Sequence, residues 1–431
     1  VACVVRVACV VRVACVVCSH VDGVEEDEVA DETQVAINAQ LVSFSQTYRN
    51  AGVSRYTYML LEGLSALADQ DARDPGAWDD GLRYTAFVNP AEMAAAAASP
   101  VGKAGRVRLT PSAWPTARPA QRILWEQAAL PGELRRMGAA VFHSPVNVLP
   151  MRVPCASVVT VHDLAFVRYP QYFRPARRIY QRRFTAQSVR AASLIVAVSE
   201  STKRDLVSEM RAPADRVRVI HPCIADDFRP IHDPARLAAF RDAHGLPRSY
   251  LLFLGTLEPR KNLEALVEAY AQARVADNDI PRLVIAGARG WYYESLFERV
   301  RTLGIEQDVT FAGYVAREEQ PLWYAAADLF LYPSFYEGFG LPIAEALACG
   351  TPTITSNVSS MPEAAGSVAI QVDPNDVGEL AYAMRRALSD STLRQRIAVD
   401  GPQWAAQFTP ARMGRQYREV YREAAAMGRR G

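Results

Sequence analysis

The chain has 431 residues, half of them apolar, and its charged side chains nearly cancel to a formal net charge of +1. That length supports two or three domains of roughly 100–200 residues, each with its own core. The charge balance argues against a nucleic-acid partner. The wide spacing of Cys155, Cys223 and Cys349 argues against a disulfide framework and for reduced core thiols in the cytoplasm.

The first 18 residues, VACVVRVACVVRVACVVC, form a six-residue repeat that breaks where Cys18 replaces the expected arginine. Arg6 and Arg12 interrupt the apolar run, and no basic segment or small-residue cleavage site flanks it. It therefore matches neither a signal peptide nor a membrane anchor. Cys15, Cys18 and His20 lack a second ligand pair for a metal. An acidic run over residues 24–32 follows, and residues 1–33 are expected to form a disordered extension.

From Gln34 the pattern changes. A strand over Gln34–Val42, a turn-rich loop containing Gly52, and a helical run from Tyr56 open an α/β domain. Buried-strand runs recur at Ala139–Pro145, Ser157–Asp163, Ser193–Ser199 and Arg216–Pro222. A second series lies at Ser249–Leu257, Arg282–Ala288, Asp308–Val315, Asp328–Ser334, Thr351–Asn357 and Ser367–Pro374. Amphipathic helical segments separate its members. The boundaries predicted are 34–225 and 226–408 for two α/β domains, joined near residues 222–235, and 409–431 for a closing helix. A cleft between such domains is a common ligand site.

The densest chemistry lies in residues 332–352, YPSFYEGFGLPIAEALACGTP. Pro342 suits the first turn of a helix and Gly350 its stop. The glycine turn before it leaves backbone N–H groups free at the positive end of the helix, a natural anion site. Glu345 is expected in the first helical turn and Glu337 in the preceding loop, so that both flank one ligand. In isolation, a first-turn dipole partner and a solvated loop acid explain the two glutamates better than a shared ligand does.

The longer pattern decides between them. Pro333-Ser334, Glu337 to Pro342, Glu345-Ala346, Ala348 and Gly350 to Pro352 resemble the signature of the retaining glycosyltransferases of family 4, also called group 1. The resemblance implies the GT-B fold: two Rossmann-like domains facing each other across a cleft, with the C-terminal helix crossing back to the N-terminal domain. It implies that Glu345 takes the ribose hydroxyls of a nucleotide-sugar, and that Glu337 lies by the transferred sugar. The amides of Gly338, Phe339, Gly340 and Leu341 would contact sugar and phosphate. Residues 255–262, GTLEPRKN, look like the family's diphosphate loop, with Arg260 and Lys261 as its basic pair. Thr256 stands where many members carry arginine. His162 resembles the family's active-site histidine near the donor sugar, and His143 is a weaker candidate on the acceptor side. Of the family's glycine-rich N-terminal loop only Gly52 remains, with Ala51 and Ser54 at the other two glycine positions.

The reaction implied is retaining transfer of a hexose, mannose or glucose, from a nucleoside-diphosphate sugar to a hydroxyl acceptor. That acceptor could be a saccharide, a lipid-linked species or a small molecule, as in synthesis of cell-surface polysaccharide or glycolipid. No cofactor and no metal are expected. Asp69-Gln70-Asp71 and Asp277-Asn278-Asp279 have metal-binding spacing but lie in polar segments beyond helices. Arg174, Arg177, Arg178, Arg182 and Arg183, with Tyr180 and Phe184 among them, suit either a solvated helix face or peripheral contact with an anionic membrane. Two alternatives carry less of the pattern. A non-catalytic sugar-nucleotide-binding protein would be expected to lose Glu337, Lys261 or His162, and an epimerase is disfavoured by the paired glutamates with residues 258–262.

Overall fold

The computed structural model describes residues 32–44, 52–73, 81–288, 290 and 293–428, with only the backbone described from 68 to 73. The N-terminal repeat, nearly all of its acidic continuation and the Asp69 and Asp71 side chains lie outside the described residues.

Among the described residues, thirteen strands form two all-parallel sheets. The first contains β1 (Thr33–Ala39), β2 (Leu82–Val88), β3 (Val107–Pro111), β4 (Ala139–Ser144), β5 (Ala156–Val161), β6 (Leu194–Ala197) and β7 (Val217–Val219), in the order β3-β2-β1-β4-β5-β6-β7. The second contains β8 (Tyr250–Leu254), β9 (Arg282–Ala286), β10 (Val309–Gly313), β11 (Leu329–Tyr332), β12 (Thr353–Ser356) and β13 (Ile370–Val372), in the order β10-β9-β8-β11-β12-β13. In both sheets the order reverses beside the first strand, which opens a crevice at the carboxyl ends of the strands. β5, β6, β8 and β11 are buried along their whole length, because helices cover both sheet faces. β2 and β3 do not stand out as buried-strand runs in the sequence. Arg83 is exposed within β2, and β3 is a mostly uncovered edge ending in proline.

The chain leaves the first domain after β7 and enters the second at the helix Pro234–Ala243. It returns near Phe408 into the long helix Pro410–Gly428. The two crossings are tied together, Ile224 N–H donating to Phe408 O at 2.8 Å.

The returning helix packs on the N-terminal helix Val53–Arg73 and on β4 and β5. Two glycines allow this. A Cβ on Gly63 would lie 2.2 Å from Pro410 O, and one on Gly414 would lie 2.6 Å from Gly63 O. Tyr417 and Tyr421 then reach inward and are fully buried. Their hydroxyls join a polar chain: Tyr56 and Tyr417 meet at 2.6 Å, Thr160 and Tyr417 at 2.8 Å, and His143 bridges Thr160 and Tyr421 at 2.8 Å each. His143 therefore does not line an acceptor site. It is sealed under the C-terminal helix, where its two ring nitrogens complete a buried network.

Candidate active site

The glycine turn and its helix are built as the local chemistry requires. Gly340 takes φ +97°, a conformation that suits glycine, and the helix runs Leu341–Ala348 with Pro342 in its first turn. Gly350, at φ +76°, follows the C-terminus. Among the described residues, the amides of Gly338, Phe339, Gly340 and Leu341 have no acceptor within the protein. Glu345 is the fifth helical residue and so sits one turn deeper than expected. Its carboxylate is nevertheless aimed at the same cleft.

That cleft, of about 530 Å³, lies between the two domains. It brings together Gly52, His162, Arg260, Lys261, Glu337, the Gly338–Leu341 turn and Glu345, every residue singled out for donor binding or catalysis. Thr256, the departure in the basic loop, also faces it. Gly52 takes φ +58° and accepts the N–H of Tyr56, starting the N-terminal helix.

Glu337 is the electrostatic centre. Lys261 Nζ contacts Oε1 at 2.5 Å and Arg260 contacts Oε2 at 2.8 Å, while the Tyr332 hydroxyl also donates to Oε1 at 3.2 Å. Lys261 donates to the Tyr332 hydroxyl as well. Burial alone would raise the Glu337 pKa. The charges of Arg260 and Lys261 outweigh it and hold the carboxyl at about 2. Arg260 is held in turn by Glu258 Oε1 at 2.6 Å and by the carbonyl of Tyr336 at 2.8 Å. The Glu337 carbonyl accepts from the hydroxyls of Ser359 and Ser360 at 3.0 and 2.8 Å, and Ser359 stands at φ +58° to do so. Strain of that kind persists where the surroundings over-determine it.

His162 closes β5 on the opposite wall. Its Nε2 donates to Pro145 O at 2.8 Å, so the other ring nitrogen is left as an acceptor. Burial lowers its pKa, so the ring is neutral at neutral pH. Tyr56 meets it edge-on, with ring centroids 4.7 Å apart.

The domains touch beside these groups. A Cβ on Gly338 would lie 2.0 Å from His162 O, so this glycine is what lets the glycine turn meet the strand end. The Tyr336 hydroxyl donates to Asp205 at 2.7 Å and accepts the N–H of Leu164 at 3.1 Å. Glu363 caps the helix Glu200–Met210 across the gap, accepting from the N–H groups of Glu200 and Ser201 at 2.6 and 2.8 Å.

Sequence reasoning did not find Tyr332, Tyr324, Arg55, Glu258 or Ser359. Tyr332 ends a strand of the signature segment, and Arg55 lies three residues after Gly52 in the first turn of the helix Val53–Arg73, so position alone could have flagged both.

Comparison with known proteins identifies the family. Residues 239–404 match the family described as glycosyl transferases group 1, and residues 76–228 match glycosyltransferase family 4. The O-antigen chain mannosyltransferase B of Escherichia coli is 35% identical over 270 residues, which is 62% of this chain and 70% of that protein. The chain belongs to the group 1 glycosyltransferases. A serotype-specific mannosyltransferase, WbdA of Escherichia coli, is 28% identical over 61% of this glycosyltransferase, although the match spans only 33% of WbdA. Anabaena HepE, solved in complex with UDP-glucose, superposes with a TM-score of 0.66 at 17% identity, covering 90% of this chain and 99% of HepE. That likeness establishes the GT-B fold for this glycosyltransferase.

Proposed function

We propose that this glycosyltransferase moves a hexose, with mannose the first choice, from a nucleoside-diphosphate sugar to a hydroxyl acceptor in polysaccharide synthesis, with retention at the anomeric carbon. One observation carries the reading. Two cations, Arg260 and Lys261, are fixed on Glu337 beside the free amides of the glycine turn, in the same cleft as Glu345. Those cations and amides suit a departing diphosphate, and a second carboxylate suits a vicinal diol. Likeness to the mannosyltransferases supports mannose, and likeness to HepE supports a nucleotide-sugar donor.

In the step proposed, the bond from the anomeric carbon to the diphosphate oxygen breaks and its electron pair stays on the phosphate. The acceptor oxygen bonds to the same face of the carbon, and its proton passes to the departing phosphate oxygen. Both Glu337 oxygens are engaged by cations, which fits a residue that positions Arg260 and Lys261 better than one that attacks carbon. His162, neutral and with one free acceptor nitrogen, suits a hydroxyl of the transferred sugar. Fixed cations supply the charge that a metal would, so chelation is expected to leave turnover unchanged.

The test is a thermal-shift panel of GDP-mannose, UDP-glucose and related donors, followed by product analysis with the responsive donor. A donor at a hundred times its dissociation constant should stabilise the protein by about 2.7 kcal/mol. No shift with any nucleotide-sugar would overturn the reading, and an inverted product would overturn retention.

The acceptor side includes the helix Pro175–Ala191. Arg174, Arg177, Arg182 and Arg183 are exposed there, together with Ile179 at 61% and Tyr180. Leu124 on a neighbouring helix and Met151 are also exposed. Apolar tips among arginines support peripheral contact with an anionic membrane and a lipid-linked acceptor. No described helix is long and apolar enough to cross a membrane. The free thiols of Cys155, Cys223 and Cys349 support a reducing, cytoplasmic setting.

A further inference from the structure

Glu345, the carboxylate assigned to ribose, is already engaged from the opposite domain. Arg55 Nη1 stands 2.5 Å from Glu345 Oε1, while the Tyr324 hydroxyl donates to Oε2 at 3.1 Å. Arg55 lies in the first turn of the N-terminal helix Val53–Arg73, so the pair spans the cleft. Both side chains are nearly dry, at 14% and 3% exposure.

The pair also leans on the linker between the domains. The Arg55 guanidinium lies over the Phe228 ring at 5.2 Å, and Arg317 covers the same ring at 4.3 Å while paired to Asp227. Phe228 is buried in the first chain crossing and packs on Tyr324, with ring centroids 6.0 Å apart. Arg55 Nη2 is buried without a hydrogen-bond acceptor among the described residues, and the contact of Nη1 with Glu345 lacks hydrogen-bond geometry. The pair is thus an ion contact with incomplete hydrogen bonding, which is cheaper to exchange than a bidentate fork.

We propose that Arg55 is a latch across the cleft that competes with the donor's ribose for Glu345. The proposal rests on the reading of Glu345 as the ribose acceptor. Arg55 sits on Oε1 and Tyr324 on Oε2, so a vicinal diol that bridges both carboxylate oxygens competes with Arg55 for Oε1. Because the latch bears on the linker ring, its release loosens the domains on the hinge side. Donor entry and cleft opening are thereby coupled.

Calorimetric titration of GDP, UDP, ADP and dTDP against wild type, R55Q, R55K, E345Q and the R55Q/E345Q double variant tests this. Circular dichroism melts establish that each variant is folded. R55Q should bind the preferred diphosphate about fivefold tighter or more, and R55K should stay near wild type. The gain should vanish when E345Q is the background, and R55Q should show a larger radius of gyration by small-angle scattering. Equal or weaker binding by R55Q, or a gain that persists without Glu345, would overturn the latch while leaving the donor site standing. A wild type that binds none of the four diphosphates would overturn the donor reading and the latch with it.

Discussion

Glu337, Lys261 and Arg260 form a triad in which one carboxylate holds two cations, and removing any member leaves buried charge unbalanced. Lys261→Ala is expected to lower kcat by about 10²–10³, the usual scale for losing one fixed electrostatic group at a developing charge. Lys261→Arg should rescue poorly, because the wider guanidinium does not fit between Tyr332 and Glu337. Glu337 also carries a pH signature. Its folded pKa, about 2, lies below its ordinary 4.5, so its stabilisation is complete above about 4.5 and is lost as pH falls toward 2. Melting temperatures of wild type and Glu337→Gln should therefore converge as pH drops through that window. Glu345→Ala should mainly weaken donor binding and raise KM, whereas His162→Ala should mainly lower kcat; steady-state kinetics with the preferred donor separates the two. The signature segment and residues 258–262 made Glu337, Glu345, Arg260 and Lys261 legible as candidates, but not their mutual contacts. Those join residues 76 and 77 positions apart in sequence, and chain distance gives no warning of that.

At the scale of elements, the helix Leu341–Ala348 was readable because its start and stop residues are local signals. The packing of the C-terminal helix was not. It depends on Gly63 and Gly414 facing each other, and each reads in sequence only as a weak spot in a helix. Gly63→Leu should force the helices apart, lowering stability by about 1–3 kcal/mol, as a denaturant titration would show. It should also expose the C-terminal helix to limited proteolysis. His143 belongs to the same packing. Burial pushes its pKa down from 6.5 to about 3, with the neighbouring His162 charge adding to the effect. Between those values the unfolded chain takes a proton that the folded chain refuses, so stability falls as pH drops from 6.5 toward 3. The slope from this group is at most about 1.4 kcal/mol per pH unit. His143→Gln should flatten that limb in melts at successive pH values, with part of the slope remaining because His162 is also lowered. A strand-end histidine looks the same in sequence whether it faces a cleft or a helix.

At the scale of the molecule, two parallel sheets face one cleft, and the chain crosses between them twice at adjacent points. If the arginine-rich helix meets a membrane, changing Arg177, Arg178, Arg182 and Arg183 together to glutamine should abolish sedimentation with anionic liposomes. It should leave turnover of a soluble acceptor intact, since this face lies apart from the residues of the cleft. Equal sedimentation by the variant would end the membrane reading. The sequence by itself determined the two-domain α/β plan, the helix that begins after the glycine turn, and the residue types needed for a sugar nucleotide. It could do so because strand period, helix ends and glycine turns are set by interactions within a few residues. Only the tertiary structure decided that Glu337 is tied to two cations, that Arg55 reaches Glu345 from the other domain, and that His143 is sealed beneath a returning helix. Those facts depend on which surfaces become neighbours when two sheets and a crossing helix pack, and close packing settles that over the whole chain at once.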